Sequence, residues 1–597
     1  MLNRSLYLTM PDGVRLAVDV HLPAGDGPFP TILHQTRYFR AVGMRRGWGW
    51  VPLASAMDTD WGTRQRFLAA GWAWVSVCVR GSGASSGTSP FPWSEPEVQD
   101  GARVLDWIVA QPWSDGLVGS TGISYAGTSA EMLASLGHPA LRAIAPRFSC
   151  FDVYADVAFP GGLHLESFTR DWATLNRLLD SGDIGGAVAH NLGLSGRGCR
   201  DLGARYAWLK AADHPAARRT VRALVRLVAH GAAHVHGDHR RDAARAAIAE
   251  HAGNDDIHEG ALRVTCRDDG GLSPSVPDAA VDSFSPHRRA EALRDTGVAV
   301  LSYSGWLDGG YAAAAAKRWA RVGGQLVLGP WNHGGQEDTS PFTPLGPARD
   351  DHAGTLLDFF DHHVRGRPRE NDAPVRYFTL GEERWKSASE WPPRGHVSRS
   401  LYLGPADRLT ETLPVSSGVT SYRVDPDVGT GHRSRWNSLL GLKAPIGYAG
   451  AADLCRRATC FTSEPLPGPL EVTGSPNVAL ALASSHSDGS VFVYLADIAP
   501  DGRVTIVTEG MLRLLHRRGR SYVRADARAL VPGDAERIEV ELLPVSYRFG
   551  AGHRIRLALT GADTDHFRAV TDAPPTIEWL WGADWASRLV LPVIDVS

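Results

Sequence analysis

The stretch that decides the fold is residues 117–136, LVGSTGISYAGTSAEMLASL. It begins as a strand, turns at residues 122–126 (GISYA) and continues in strong helix formers. A strand, a sharp turn carrying a serine between small residues, and a helix are the setting in which an α/β sheet exposes a nucleophilic hydroxyl. We therefore predict an α/β fold with Ser124 as its nucleophile.

A second turn, residues 83–87 (GASSG), matches the pattern G-x-S-x-G more strictly than the turn at Ser124. A strand also precedes it, but the sequence TSPFPWSEP comes next, and its prolines forbid a helix. Without a helix behind it, a serine is not lifted from the sheet as a nucleophile. We therefore interpret Ser85 as a loop serine.

Around these turns, short apolar runs alternate with helical sequence. The hairpin signal Pro11-Asp12-Gly13 comes first, and Glu97–Gln111 has helical spacing. The predicted strands are Leu6–Met10, Val14–His21, Thr31–His34, Ala73–Val79 and Leu117–Ser120, and the pattern returns at Gly297–Tyr303 and Gln325–Leu328. Buried strands separated by helices indicate a parallel sheet covered on both faces.

Two further changes in composition and periodicity divide the chain into three predicted units. Residues 148–284 are rich in Ala, Arg and His, with helical periodicity at Ala216–Ala233 and Asp242–Ala252, and predict a helical cap. The cap interrupts a catalytic domain of residues 1–147 and 285–370. Residues 371–597 read as a β-sandwich of the jelly-roll type. Its predicted strands are Val375–Leu380, Ser400–Leu403, Leu470–Val472, Val478–Ala483, Ser490–Ile498, Val504–Leu515, Arg537–Leu543, Arg554–Leu559 and Leu589–Ile594.

An acid and a base follow two later strands. Asp308 lies just past VAVLSYS, and His333 lies just past QLVLG. In a hydrolase sheet the order along the chain is Ser, Asp, His, with the last two at carboxyl ends of strands. We predict that His333 takes the Ser124 proton and that Asp308 fixes the tautomer of His333.

The remaining histidines and the cysteines do not predict a metal site or another cofactor. The cap contains His230, His234, His236 and His239, but neither accompanying cysteines nor an H-E-x-x-H arrangement. No C-x-x-C occurs among the six cysteines. His362 and His363 follow a predicted helix, and we interpret them as structural.

Charge and hydropathy exclude several kinds of partner. The net charge is −3, so no field for nucleic acid or an anionic membrane is expected. The amino terminus has no basic region followed by an apolar run, and no later stretch is long and apolar enough to span a bilayer. We expect a cytoplasmic protein that acts on a small-molecule ester or amide; a homodimer is left open.

The chain resembles the bacterial cocaine-esterase-like (CocE/NonD) hydrolases, relatives of X-Pro dipeptidyl-peptidases and α-amino-acid ester hydrolases. The shared segments are MPDGVRLAVDVHLP, WSDGLVGSTGISYAG, GWLDG, LGPWNH, FFDHHVRG, RYFTLGEERWKSASEWPP, LEVTGSP, RIRLAL and LVLPVI. The resemblance implies an α/β-hydrolase domain, an inserted helical cap and a carboxyl-terminal jelly roll. It also implies an oxyanion hole made by the Tyr125 backbone N–H and the Tyr38 hydroxyl.

Two departures from the family pattern bear on that hole and on the substrate. Relatives usually have proline before the tyrosine of the oxyanion hole, and this chain has Arg37. α-Amino-acid ester hydrolases hold an ammonium group with acidic residues at the positions of Gly310 and Tyr311. The resemblance therefore favours esters with a bulky or aromatic neutral acyl group. Aromatic residues that would form the acyl pocket, or else belong to the core, are Phe159, Trp172, Trp306 and Trp331.

Several reactions remain open from the sequence. The leading hypothesis is carboxylic-ester hydrolysis through an acyl-serine intermediate. The same triad would serve amide cleavage of the acylase or dipeptidyl-peptidase type, or acyl transfer and lactone formation, because pocket shape and dryness set the acceptor. A non-enzymatic protein, with the jelly roll as a carbohydrate-binding module, is the remaining alternative.

Overall fold

The computed structural model describes residues 4–44, 60–191, 215–238, 241–344, 346–369, 373–431, 433–439, 446–448 and 450–594. Its first sheet has ten strands. They are β1 (Arg4–Thr9), β2 (Arg15–His21), β3 (Phe29–Thr36), β4 (Ala73–Cys78), β5 (Ser114–Ile123), β6 (Leu141–Arg147), β7 (Ala299–Gly305), β8 (Gln325–Gly329), β9 (Val375–Thr379) and β10 (Arg384–Ala388). Their order across the sheet is β1-β2-β4-β3-β5-β6-β7-β8-β9-β10.

In this order, the strands β4, β3, β5, β6, β7, β8 and β9 pair in parallel. The pairs β1–β2, β2–β4 and β9–β10 are antiparallel. Every residue of β4 and of β8 is buried, because helices cover both faces. Glu95–Val109 and Tyr125–Ala134 pack on one face, and Trp61–Ala69 and His352–Arg365 on the other. Tyr311–Val322 connects β7 to β8. This arrangement places the carboxyl ends of β5, β7 and β8 along one edge.

Two strands beyond residue 370 join the first sheet. Val375–Thr379 was expected to open the carboxyl-terminal β domain, but it pairs in parallel with β8, and β10 then pairs with it. Val375 and Tyr377 are buried beside β8, which explains the pairing. The alternating pattern of this segment predicts a strand without saying which sheet it joins.

The cap lies between β6 and β7 and is mainly helical. Its principal helices are Glu166–Asp180, Ile184–Asn191, Pro215–Val228, Asp242–Glu250 and Ile257–Ala261, and shorter turns lie at Tyr154–Ala158, Pro160–Gly162, His251–Gly253, Val281–Phe284 and Pro286–Arg289. The prediction of helix to Ala233 is wrong at its end. Ala229–Ala232 is a strand that pairs with Val42–Met44. The helix ends at Val228, and Gly231, with φ of +98°, lies within the strand.

The carboxyl-terminal part is an all-β domain with one branched sheet of thirteen strands. They are His396–Gly404, Arg408–Thr410, Gly418–Arg423, Thr459–Thr462, Leu470–Gly474, Asn477–Ser484, Ser490–Ile498, Val504–Arg513, Glu536–Glu541, Val545–Phe549, Arg554–Thr560, Thr576–Trp581 and Arg588–Ile594. A short helix, Ala451–Arg457, interrupts them, and a ribbon of Glu337–Asp338 and Gly346–Pro347 lies outside this sheet. The predicted fold class, an α/β-hydrolase with a helical cap and a carboxyl-terminal β domain, is confirmed.

One apolar core is shared by the cap, the domain of the first sheet and the β domain. Leu163 of the cap, Tyr311 of the sheet domain and Phe492 of the β domain belong to it. The three units are therefore packed on one another around the site described below. Among the described residues, no helix is both long and apolar enough to cross a membrane.

Candidate active site

Ser124 sits on a strained turn between β5 and the helix Tyr125–Ala134. Its φ is +60° and its ψ −120°, a conformation that a residue with a Cβ rarely adopts. The turn closes because Gly122 has no side chain: a Cβ there would lie 2.2 Å from the Cβ of Ala126. Ala126 therefore fits where the strict pattern has glycine. The Ser124 backbone N–H donates to the Arg147 carbonyl at 2.9 Å, which fixes the turn against β6.

The structure brings Asp308 and His333 together at the next strand ends. His333 Nδ1 lies 2.9 Å from Asp308 Oδ1 and 3.1 Å from Oδ2. Asp308 is fully buried and His333 is 3 % exposed. Burial raises the pKa of Asp308, against the lowering effects of His333 and Arg435. The contact leaves Nε2 of His333 as the nitrogen able to exchange a proton with another group.

Tyr311, which the resemblance marked only as a departure from the acidic residues of related ester hydrolases, lies between the cavity and His333. Its ring lies beside the His333 imidazole, with centroids 5.4 Å apart and planes at 32°. Tyr311 and Ser124 line the same cavity, and the Ser124 side chain acts to lower the pKa of the Tyr311 phenol against the effect of burial. Tyr311 is the first residue of the helix after β7, and its N–H donates to the Asp308 carbonyl at 2.9 Å. Its position three residues after Asp308, in the loop predicted to face the site, was the available signal.

Tyr38 and Tyr125 line the cavity together with Ser124. The Tyr38 hydroxyl accepts a hydrogen bond from Trp172 Nε1 at 2.7 Å, and the Ser124 side chain acts to lower the pKa of the Tyr38 phenol. Burial raises the pKa of Tyr38, so its phenol stays protonated near neutrality. Tyr125 is the first residue of its helix, where a backbone N–H has no partner within the helix. Both groups are therefore donors close to the Ser124 hydroxyl.

A buried carboxyl group holds the Tyr125 side chain away from the serine. The Tyr125 hydroxyl lies 2.7 and 2.8 Å from the two carboxyl oxygens of Glu97. Burial raises the pKa of Glu97 to about 7, although the Tyr125 hydroxyl and the nearby Arg37 charge act to lower it. Trp93 Nε1 donates to the Tyr125 carbonyl at 3.2 Å and to Ser129 Oγ at 3.1 Å. These contacts fix the first turn of the helix behind the serine.

Ser124 opens into a cavity between the first sheet and the cap. Phe159 and Trp172, predicted for the acyl pocket, both line it. Further lining residues are Tyr38, Trp93, Tyr125, Cys150, Val153, Val157, Phe168, Leu272, Phe284 and Tyr311. The described residues that line the cavity include no Asp, Glu, Lys or Arg.

Trp306 and Trp331 do not belong to the acyl pocket, which corrects that prediction. Trp306 is fully buried and donates to the Phe378 carbonyl of β9 at 2.7 Å. Trp331 stacks on Tyr303 at 4.9 Å and donates to Asp350 at 3.1 Å. Both follow strands at the correct edge of the sheet, but their side chains turn into the protein interior, a direction that sequence spacing does not encode.

The other residues weighed from the sequence lie apart from this cavity lining. Ser85 is fully buried, donates to the Cys78 carbonyl at 2.7 Å and accepts from the Ala17 N–H at 2.9 Å. In the cap, His236 accepts a hydrogen bond from the Ser5 N–H, whereas His239 lies outside the described residues. The His362 ring lies 2.8 Å from the Arg367 carbonyl, and the His363 ring packs on Phe359.

Two clusters among the described residues have spacing that would suit a metal ion, and arginines already meet both. Asp152, Asp282 and His287 form the first, where Arg267 is hydrogen-bonded to both carboxylates. Cys266, Asp268 and Asp269 form the second, where Arg524 pairs with Asp269 at 2.6 Å. Neither cluster contributes to the lining of the cavity at Ser124.

Comparisons with known proteins agree with this architecture. The family model of the X-Pro dipeptidyl-peptidase (S15 family) matches residues 12–335. The model of the X-Pro dipeptidyl-peptidase C-terminal non-catalytic domain matches residues 369–576.

Individual relatives cover nearly the whole chain. A Mycobacterium bovis protein described as a "putative serine esterase" is 42 % identical over 99 % of this chain and 95 % of its own length. The cocaine esterase of a Rhodococcus species is 27 % identical over 94 % of this chain and 90 % of its own. A CocE/NonD family hydrolase from Staphylococcus aureus superposes with a TM-score of 0.66 at 17 % identity, over 99 % of this chain and 94 % of the other. The chain belongs to the X-Pro dipeptidyl-peptidase (S15) family of serine hydrolases.

Proposed function

We propose that this enzyme hydrolyses carboxylic esters through an acyl intermediate on Ser124, with His333 as base and Asp308 as its partner. The observations that carry the proposal are the strained turn that presents Ser124 to a cavity and the buried His333–Asp308 pair, whose imidazole contacts Tyr311 of the same cavity lining. A serine hydroxyl is a poor nucleophile unless an adjacent base removes its proton. The loops after β5, β7 and β8, at one edge of the sheet, supply the nucleophile, the orienting carboxylate and the base.

The reaction proceeds in two halves. Ser124 Oγ bonds to the ester carbonyl carbon while its proton passes to His333 Nε2, and the carbonyl oxygen becomes an oxyanion. Collapse of this intermediate breaks the bond to the alcohol oxygen, which leaves with the proton from His333. Water then attacks the acyl-serine, His333 taking its proton and returning it to Ser124, and the carboxylic acid is released.

Tyr38 and the backbone N–H of Tyr125 stabilise the oxyanion in both halves. The charge on the carbonyl oxygen develops mainly in the transition state, so donors aimed at it raise kcat. Losing one such donor costs about 3–4 kcal/mol of transition-state stabilisation. The raised pKa of the Tyr38 phenol keeps its proton available for donation.

The acyl group is bulky or aromatic and carries no charge. Aromatic and aliphatic side chains dominate the described cavity lining, and no charged side chain would balance a charge on the substrate. Tyr311 stands where related ester hydrolases have an acid for an ammonium group. Cys150, at the edge of the cavity, remains a neutral thiol because burial raises its pKa to about 12.

Matched chromogenic substrates test this proposal. We expect p-nitrophenyl benzoate to be turned over with a higher kcat/KM than the p-nitrophenyl ester of free phenylalanine, and aminoacyl p-nitroanilides to be poor substrates. Adding an alcohol separates hydrolysis from acyl transfer, since a transferase would form a new ester. A preference for the free-amine ester or for the anilide would contradict the assignment to neutral esters.

A further inference from the structure

The indole of Trp172, on the cap helix Glu166–Asp180, contacts the catalytic side of the sheet directly. Trp172 Nε1 donates to the Tyr38 hydroxyl oxygen at 2.7 Å, so a side chain from the cap holds a residue that follows β3. Trp172 also lines the cavity. A residue with both contacts has two separable roles, one toward the substrate and one toward Tyr38.

The hydrogen-bonding capacity of the two groups fixes the direction of the Tyr38 proton. An indole nitrogen only donates, whereas a phenol offers one hydrogen and accepts on its oxygen. The Trp172 bond therefore occupies the Tyr38 oxygen as an acceptor and leaves the phenol hydrogen for another partner. Ser124 and Tyr38 line the same cavity, and the Ser124 side chain acts to lower the pKa of the Tyr38 phenol. Accepting from the indole also polarises the phenol and strengthens its own donation.

A buried ion pair fixes the cap helix to the loop that carries Tyr38. Arg37 Nη2 lies 2.8 Å from Asp180 Oδ2, and both side chains are almost fully buried. The Arg37 guanidinium lies 5.9 Å from the Trp172 ring centroid, on its face. Asp180 Oδ2 also accepts from Asn254 Nδ2 at 2.9 Å. Trp172 and Asp180 are eight residues apart, so the helix meets the loop at two points separated by about two turns.

We propose that Trp172 is a positioning residue that orients the Tyr38 hydroxyl as a hydrogen-bond donor, and that the Arg37–Asp180 pair holds the cap helix in register for this contact. Arg37 ties the loop that carries Tyr38 to this helix through Asp180. The inference rests on the proposed function and adds to it that the oxyanion hole is completed by the cap.

A double-mutant cycle on a neutral p-nitrophenyl ester tests the inference. Tyr38→Phe is expected to lower kcat by about 10²- to 10³-fold, as for other oxyanion donors. Trp172→Phe keeps an aromatic ring but removes the N–H, and should lower kcat by about 2- to 10-fold, the range of one neutral hydrogen bond. In the Tyr38→Phe background, Trp172→Phe should change kcat by less than about twofold.

Phe168→Leu is the matched control for pocket contacts. Phe168 lines the same cavity and its ring lies 6.2 Å from that of Trp172. Its substitution should alter KM, and by the same factor whether residue 38 is tyrosine or phenylalanine. An equal fall in kcat for Trp172→Phe in both backgrounds would show that Trp172 only contacts substrate and would overturn the inference.

Asp180→Asn tests the ion pair, with Asp171→Asn on the same helix as its control, since the Asp171 side chain is 43 % exposed. Asp180→Asn should lower kcat in the wild type and have no further effect in Tyr38→Phe, whereas Asp171→Asn should leave kcat unchanged. Titration with a fluorophosphonate counts the folded sites, so kcat refers to active enzyme. If Asp180→Asn does not fold, the Trp172 cycle decides alone. Full activity of Ser124→Ala would instead overturn the proposed function itself.

Discussion

Ser85 and Ser124 each come after a strand of the same sheet and lie between small residues, yet their surroundings are opposite. Ser85 has no exposed surface, and its hydroxyl joins the Cys78 carbonyl to the Ala17 N–H. Ser124 has a φ of +60° and lines a cavity together with the phenols of Tyr38 and Tyr311. One serine closes a loop, and the other is held out from the sheet.

The difference arises from the segment on the carboxyl-terminal side of each turn. After Ser85, prolines prevent a helix, so the loop folds back and its hydroxyl replaces missing backbone partners. After Ser124, a helix begins at once, which forces the turn into a strained conformation and directs the hydroxyl outward. The acid and the base follow β7 and β8, which lie closer across the sheet to β5, the strand before Ser124, than to β4, the strand before Ser85. The local pattern predicts a tight turn, and the next element determines its function.

The largest expected effect comes from removing the base or its partner. His333→Ala should lower kcat by about 10⁶-fold, because the triad acts as a unit, and Asp308→Asn by about 10⁴-fold, because the imidazole loses its tautomer. Initial rates on a p-nitrophenyl ester, with folding checked by circular dichroism, measure both. If His333→Ala kept a tenth of the activity, the assignment of His333 as the base of Ser124 would be contradicted. This difference between Ser124 and Ser85 would then disappear.

The next largest effect concerns the donors that only Ser124 has beside it. Tyr38→Phe should lower kcat by about 10²- to 10³-fold with a much smaller change in KM, since the oxyanion exists mainly in the transition state. Steady-state kinetics on the same ester give both constants. A fully active Tyr38→Phe enzyme would remove Tyr38 from the oxyanion hole.

Ser85→Ala should affect stability and leave catalysis intact. The substitution leaves the buried Ala17 N–H without its acceptor, which costs about 1–3 kcal/mol of the free energy of unfolding. Urea denaturation measures the loss, and kcat per titrated site should equal that of the wild type. A loss of kcat with unchanged stability would contradict the structural role of Ser85.

The smallest expected effect concerns Glu97 and the dependence of stability on pH. Its folded pKa of about 7 is above the ordinary value of 4.5 because of burial, with Tyr125 and Arg37 opposing the shift. The folded state therefore holds the proton more tightly. The resulting stability is fully present below pH 4.5 and is lost as pH rises through about 7.

Glu97→Gln should therefore flatten the fall in Tm between about pH 5 and pH 8, since an amide does not ionise. Glu95→Gln, on the same helix with a side chain that is 57 % exposed, is the control and should follow the wild type over that range. Thermal melts in matched buffers measure the difference. Parallel curves for wild type and Glu97→Gln would mean that Glu97 does not titrate in this window.

Much of the fold and the proposed triad could be predicted from the sequence because short apolar runs mark where the strands end. Ser124, Asp308 and His333 each come after a short apolar run, and parallel strands bring such ends to one edge. Side-chain direction was not readable in this way. Trp306 and Trp331 stand in the correct loops but point into the core.

Long-range pairing was the other limit. The strand at Val375–Thr379 was recognised, but its partner in the first sheet lies almost fifty residues earlier in the chain. Five strands of the β domain were missed because their runs are short or half-polar: Arg408–Thr410, Gly418–Arg423, Thr459–Thr462, Val545–Phe549 and Thr576–Trp581. The hydrogen bond from Trp172 to Tyr38 joins residues 134 positions apart, and no local pattern encodes it.

Covalent labelling with a fluorophosphonate tests the central claim most directly, because the reagent reacts only with an activated serine. The wild-type chain and Ser85→Ala should both be labelled at one site, on the peptide that contains Ser124, as read by mass spectrometry. Ser124→Ala should not be labelled. Labelling that persists in Ser124→Ala, or that maps to Ser85, would contradict the assignment of the nucleophile.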